Sequence, residues 1–420
     1  MSQNPEAVNL KEVWKVLKVI EPKHKTSLPI AKRNHKGQLI SSPFQLKKLL
    51  AKEYKQRLRP RPIRPDLGDL KERRKEIFLM QLQLAEQSVS SPWTLSDLEK
   101  ALADLKKHKS RDHSGYINEI FKEEVIGTNL KMSLSTMFNK LKAEQIMPQF
   151  MNFSNITTVP KSGSLTELEN ERGIFRTDIV RSILMRMIYN EKYPVIDRNM
   201  SDCQMGGRKG KGCRNNIFII NGIINDVLKS KKNTPVLLQI YDYKQMFDSI
   251  NLRQAISDIY ETGFKDDNLL LLYKANKEIS MAVNTPNGLT ERETLEDIVL
   301  QGDTWGSILA SVQVDTIGQE CSKAGYGYRY KNILPVSMLG LVDDIIGVTE
   351  VGYQAQMMNS FINIKTAEKG LQFGVKKCTT MLVGKSKENL LNSKLYVDKW
   401  EVEHRSNRRH WLGGELLWPG

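Results

Sequence analysis

Cysteine is scarce in this chain. The four present, Cys203, Cys213, Cys321 and Cys378, are too few and too scattered for a disulfide framework, and no two form a Cys-x-x-Cys pair. A zinc finger or knuckle is thereby excluded, and reduced intracellular thiols are expected. Long apolar runs are also missing, since no stretch approaches the roughly 18 residues a membrane span requires. The opening MSQNPEAVNLKEVWK is polar where a secretory signal needs an apolar stretch. These absences point to a soluble chain of the nucleus or cytoplasm with no membrane partner. There is no internal repeat. Acidic residues are in deficit, 48 Asp and Glu against 63 Lys and Arg, which leaves a net charge of +15. That excess favours a polyanionic partner, nucleic acid before a membrane surface.

What is present fits a folded protein of more than one structural unit. The chain has 420 residues, 40% hydrophobic and 26% charged, which excludes wholesale disorder. The positive charge is uneven: residues 1–80 hold 20 Lys and Arg against 8 Asp and Glu, so they carry most of the excess. A basic N-terminal stretch precedes a nearly neutral body. Within it, RLRPRPIRPD at 57–66 has Pro60, Pro62 and Pro65, which exclude helix there. Such a stretch reads equally as a solvated linker or as an arm that tracks phosphates.

A helical pattern runs from Leu70 to Gln87. A second start follows at Trp93-Thr-Leu-Ser-Asp-Leu-Glu, where Thr94 with Asp97, or Ser96 with Glu99, fits a capping box. Leu98, Ala101, Leu102 and Leu105 continue as an apolar stripe, with helices expected to about Gln149. Beyond that, short apolar strands at Ile156–Val159, Val236–Tyr241 and Met338–Val342 alternate with amphipathic helices near 177–192, 214–229 and 251–262. This mixture argues for an α+β or α/β body.

Two segments concentrate carboxylates. One is Leu237-Leu-Gln-Ile-Tyr-Asp-Tyr-Lys-Gln-Met-Phe-Asp, a strand running into Asp242. The other is Met338-Leu-Gly-Leu-Val-Asp-Asp-Ile-Ile-Gly-Val, which reads as a hairpin with Asp343 and Asp344 at a tight turn. Adjacent carboxylates among apolar neighbours are costly unless a positive group compensates them. A pair of Mg²⁺ ions, taking oxygen ligands, would do so and would suit in-line attack on a phosphate. A plain β-turn is the alternative, because Asp is a common turn residue.

These segments belong to an ordered series that resembles the reverse transcriptases, specifically those of animal non-LTR (LINE-like) retrotransposons. Ile156-Thr-Thr-Val-Pro-Lys161 resembles the fingers strand whose Lys contacts nucleotide phosphates. Leu168-Glu-Asn-Glu-Arg-Gly-Ile174 resembles the next motif, whose Arg, here Arg172, grips the triphosphate. Asp202-Cys-Gln-Met-Gly-Gly-Arg-Lys-Gly is similar to the family's Q-x-G-F-R-x-G segment. Asp242 to Phe247 resembles motif A, Gln301-Gly-Asp-Thr-Trp-Gly-Ser motif B, Leu341-Val-Asp-Asp motif C, and Gly370-Leu-Gln-Phe-Gly-Val-Lys-Lys-Cys378 motif D. Lys109-Ser-Arg-Asp-His-Ser-Gly115 resembles a segment upstream of these motifs, where Lys109 and Arg111 read either as template-backbone contacts or as part of a solvated loop. His113 stands alone and is not read as a metal ligand.

The resemblance implies an RNA-directed DNA polymerase with an α+β right-hand fold of fingers, palm and thumb. It implies an RNA template, a DNA primer or nicked target DNA, and dNTPs as partners. Asp242 and Asp343 would bind two Mg²⁺ ions, or Mn²⁺ in their place, with Asp344 beside them. Lys161 and Arg172 would neutralise the triphosphate, and Gln301 and Gly302 would contact template and nucleotide. Phe247 would exclude a ribose 2′-hydroxyl, and Lys377 (or Lys376) would protonate pyrophosphate.

The expected organisation is a basic, partly helical extension over 1–90, and fingers with a helical lead-in over 91–235. A palm over 236–400 ends in a possible primer grip from Leu395 to Trp400, followed by an irregular tail over 401–420. Three departures are local: Leu341 replaces the Tyr or Phe that opens motif C, Gly306-Ser307 replaces Ser-Pro in motif B, and Gly173 replaces Pro. None removes a charged group. The thumb is expected to be missing or incomplete, and an endonuclease ahead of the polymerase is expected to be lacking. A truncated remnant that only binds nucleic acid is therefore the alternative function.

Overall fold

The computed structural model describes residues 31–59, 68–122, 125–161, 163–229, 235–331, 333–350 and 353–384, with the backbone of 396–397, 400–401 and 403–405. The Pro-rich 60–67 and most of the terminal stretches of the sequence lie outside the described residues.

The chain begins with a small hairpin, Lys32–Arg33 against Leu39–Ile40, and helix α1 (Pro43–Arg57). Helices α2 (Gly68–Gln87), α3 (Leu95–Ala103) and α4 (Thr128–Glu144) follow. The helix start at Trp93 is realised as a capping box: the Thr94 hydroxyl accepts from the Asp97 amide while the Asp97 carboxylate accepts from the Thr94 amide. Leu98, Ala101 and Leu102 of the expected stripe are fully buried. Among the described residues of 104–127 no α-helix continues; apart from one short 3-10 turn, Asn118–Phe121, they form loop. Asp112 ties that loop down by accepting from the amides of Ser114, Tyr116 and Ile179.

Two five-stranded sheets organise the rest. In the first, β1 (Phe153–Pro160) pairs antiparallel with β2 (Glu171–Thr177) and parallel with β4 (Glu278–Thr285). The hairpin strands β5 (Gly288–Leu289) and β6 (Glu293–Glu296) both pair with β4. Residues 278–296, from the stretch expected as palm, thus complete the sheet begun by 153–177. Helix α1 covers this sheet, burying Leu46, Leu50 and Tyr54 against Ile156, Phe175, Met281 and Val283. Part of the basic N-terminal stretch is therefore wall rather than arm.

The second sheet has the order β7-β8-β3-β9-β10, formed by β7 (Met338–Leu341), β8 (Asp344–Glu350), β3 (Val236–Asp242), β9 (Thr379–Val383) and β10 (Glu403–Arg405). All neighbours are antiparallel except β9 and β10. Strand period two divides its faces. Leu237, Tyr241 and Ile345 join the largest core, with α5 (Ile179–Asn199), α7 (Leu252–Glu261), α8 (Asp267–Lys277), α9 (Gly306–Lys323) and α10 (Tyr353–Glu368). Val236, Leu238, Ile346 and Val348 face α6 (Cys213–Lys229). Within the stretch expected to be irregular over 401–420, the described residues Glu403–Arg405 form β10, which pairs along β9, as the open N–H and C=O groups of a sheet edge invite. The rest of that expectation, over 406–420, lies outside the described residues. The segment expected to open a primer grip forms a two-stranded pairing, Tyr396–Val397 with Trp400–Glu401. Among the described residues, no helix is long and apolar enough to cross a membrane.

Candidate active site

Register brings the carboxylates together. Strand β8 runs antiparallel to β3 with Asp344 directly opposite Asp242, and seven consecutive pairs back from that point hold the alignment. Cross-strand partners point to the same face, with Cβ atoms about 5 Å apart. Asp343 sits beside them in the turn joining β7 to β8, whose last pair is Leu341 with Asp344. The turn is left-handed at Val342, φ 61°.

The electrostatics follow from this crowding. Burial, then the charges of Asp343 and Asp242, push the Asp344 carboxyl up to about 6. Burial, reinforced by Asp242, also raises Asp343. Arg172 and Lys377 oppose both shifts, so these two cations face the carboxylates. The Lys377 ammonium spans both oxygens of Asp242, at 3.2 and 3.3 Å. Its seat is built by backbone: Lys244 N–H donates to the Gln372 carbonyl, Gly374 N–H to the Asp242 carbonyl, and Lys377 N–H to the Gly374 carbonyl. Phe373 stacks on Tyr243 with ring centroids 4.7 Å apart. Both Lys376 and Lys377 are exposed.

Of the other expected residues, Lys161 and Arg172 belong to the first sheet, and Gln301 and Gly302 to the turn before α9. Lys161 and Arg172 lie at one end of the β1–β2 hairpin, where Val159 pairs with Arg172 and the Lys161 amide donates to the Asn170 carbonyl. Burial, then the neighbouring Arg57 guanidinium, lowers the Lys161 ammonium from its ordinary value. Gln301 is joined to β2 through its carbonyl, which accepts from Phe175 N–H at 3.0 Å. Gly302 has φ +105°, and a Cβ there would sit 3.1 Å from Ile174 Cγ2 and 3.2 Å from the Phe175 carbonyl oxygen. Glycine is required at this contact. The Gly306 departure has a similar cause: a Cβ would lie 2.5 Å from the Leu300 carbonyl oxygen. Phe247 packs half-buried against the main core, close to Gly306. Lys109 and Arg111 are exposed on the loop that Asp112 anchors, and His113 stacks edge-on against Phe153.

Residues 159–416, more than half of the chain, match the family described as reverse transcriptase (RNA-dependent DNA polymerase). The chain belongs to the reverse transcriptase family. Membership implies RNA-directed DNA polymerase activity, a nucleotidyl transfer, with nucleic acid template, primer and nucleotides as partners. Reverse transcriptases generally use divalent metals. Among the described residues of this reverse transcriptase, no three His, Cys, Asp or Glu side chains converge as a ready-made metal cluster. The donor chemistry nevertheless fits a hard divalent cation, since crowded carboxylates with raised pKa values supply only oxygen ligands. Asp242, across the strands from Asp344, already attracts the Lys377 ammonium.

Sequence reading missed two features. Arg57 forms an ion pair with Asp248 at 2.6 Å, both side chains under a tenth exposed, and donates to the Glu171 carbonyl. No local pattern announces a partner 191 positions away. The second is Gln204, present in the quoted Gln-Met-Gly-Gly segment but given no task. Its side chain reaches the turn that carries Asp343.

Proposed function

We propose that this reverse transcriptase is of the non-LTR retrotransposon type and copies RNA into DNA by metal-dependent transfer from dNTPs to a primer 3′-hydroxyl, with Asp242, Asp343 and Asp344 as its centre. The observation that carries the reading is the register that sets Asp344 opposite Asp242 with Asp343 in the adjoining turn. In this reading the first sheet, with α1, is the fingers and the second is the palm. The ordered motif series supports the retrotransposon type.

Asp242 and Asp343 would hold Mg²⁺, two ions in all, with Mn²⁺ as a substitute. Bound there, the metal supplies Lewis-acid stabilisation of the attacking and leaving oxygens of an in-line displacement. The rest falls to the chain's own groups. Arg172 offers a planar fork and Lys161 a point charge to the triphosphate, and both belong to a cationic group with Lys377 and Arg57. Lys377, whose ammonium lies 3.2 Å from the Asp242 carboxylate, would be the group that gives a proton to the leaving pyrophosphate. Phe247 excludes the 2′-hydroxyl. Gln301 and Gly302 form a floor against β2 on which template and nucleotide rest.

The test is primer extension on an RNA template with dNTPs and Mg²⁺. Asp343→Asn should lower kcat by at least about a thousandfold, on the scale of lost metal and charge stabilisation, while template–primer affinity stays near wild type. Extension within threefold of wild type would sink the assignment. Offering NTPs in parallel distinguishes a DNA polymerase from an RNA-copying RNA polymerase.

A further inference from the structure

The turn that carries Asp343 is held in a conformation its own residues disfavour. Val342 sits at φ 61°, where a β-branched residue is seldom found unless the surroundings impose it. The imposing group is Gln204, whose residue is fully buried. Its Oε1 accepts from the Val342 amide at 2.9 Å, and its Nε2 donates to the Val342 carbonyl at 3.2 Å. The same Oε1 accepts from the Gly206 amide at 2.7 Å, which orients the side-chain amide from its own loop. One side chain thus grips both polar groups of the strained residue.

The surroundings are shaped for this grip. Met205 N–H donates to the Gly340 carbonyl and Gly340 N–H to the Cys203 carbonyl, so residues 203–205 run bonded along β7. Gly340 leaves the gap that the Gln204 side chain crosses, since a Cβ there would lie 2.8 Å from its Nε2. Gly206 lies against the turn, and a Cβ there would meet the Val342 nitrogen at 2.1 Å. Two glycines and a glutamine from two separate segments meet at one backbone unit, immediately before the first turn carboxylate.

We infer that Gln204 is a positioning residue for nucleotidyl transfer: by clamping Val342 in its left-handed conformation it fixes the direction of the Asp343 carboxylate. The inference rests on the reading of Asp343 as part of the polymerase centre. It assigns Gln204 no contact with substrate. Loss of the clamp lets Val342 relax toward ordinary backbone angles, swinging Asp343 away from Asp242. A displacement of about 1 Å at a reacting centre costs on the order of a hundredfold in rate.

The test combines Gln204→Met, which matches length but lacks both hydrogen-bonding groups, with Val342→Gly, which lets the turn reach φ near +60° without a clamp. Primer extension is measured under steady state beside Asp343→Asn, with thermal unfolding and template–primer affinity as controls. Gln204→Met should lower kcat about a hundredfold while dNTP KM stays within threefold. Adding Val342→Gly to it should recover at least tenfold of kcat. A merely structural glutamine would depress stability without that recovery. Should Gln204→Met fail to fold, Gln204→Asn, one methylene too short to span Val342, is read for the same split and the same recovery. An inactive Asp343→Asn beside a clamp variant within threefold of wild-type kcat overturns the positioning role alone, as does absence of recovery. An active Asp343→Asn overturns the polymerase centre and the inference with it.

Discussion

Replacing Arg57 by Met removes the guanidinium that fastens helix α1 to the segment following Asp242. The Arg57 Nε lies 2.6 Å from Asp248 Oδ2, with side chains 9% and 8% exposed, and its Nη1 donates to the Glu171 carbonyl at 2.9 Å. Deleting one partner of a buried pair leaves the other charge without compensation, which costs roughly 3–5 kcal/mol. Slight exposure of Asp248 places this pair near the lower end, about 3 kcal/mol, and the orphaned carbonyl adds about 1 kcal/mol. The methionine keeps most of the aliphatic contact with Tyr54, over which the Arg57 side chain lies. Urea titration of Arg57→Met should therefore show a loss of about 3–4 kcal/mol. That is a fall of roughly 6–16 °C in the melting temperature of the affected unit. Adding Asp248→Asn removes the stranded charge, so the double variant should regain about 2 kcal/mol relative to additivity. The loss should barely change between low and high salt, because a buried pair is little screened. A single-variant loss under about 1 kcal/mol, or an additive cycle, would show that α1 is not anchored through this pair.

Phe247→Ala should raise the NTP/dNTP ratio of kcat/KM by about 10- to 200-fold, the range one steric contact supplies; an unchanged ratio places the sugar gate elsewhere. Gly302→Ala forces a Cβ into the Ile174–Phe175 contact at φ +105°, so a loss of roughly 1–3 kcal/mol and a raised dNTP KM are expected. A melting temperature within 1 °C of wild type would contradict this. Asp344, raised from 3.8 to about 6, binds its proton more tightly in the folded state, so the stability it contributes is present at low pH and lost as pH rises through about 4 to 6. In the presence of a chelator, Asp344→Asn should therefore melt higher than wild type at pH 7.5, with the gap closing toward pH 4; a constant gap would mean that carboxylate crowding is not its cause.

Local chemistry was legible in the sequence by itself. The Thr94–Asp97 capping box, the stripe from Leu98 to Leu102, the strand into Asp242 and the turn at Asp343 each depend on residues a few positions apart, and periodicity and turn preference act over that range. The pairing of Asp344 with Asp242 across a hundred residues was decided only by tertiary structure, because register follows from which strand faces are buried and not from either segment alone. The same holds for the return of 278–296 to the first sheet through a parallel pairing with β1. Helix α1 sits in sequence beside proline-broken basic stretches, yet Leu46, Leu50 and Tyr54 find an apolar sheet that other parts of the chain supply. Gln204 is the sharpest instance. A buried glutamine carries no signal of its target in sequence, and its hold on Val342, 138 positions later, exists only once β7 lies alongside residues 203–205.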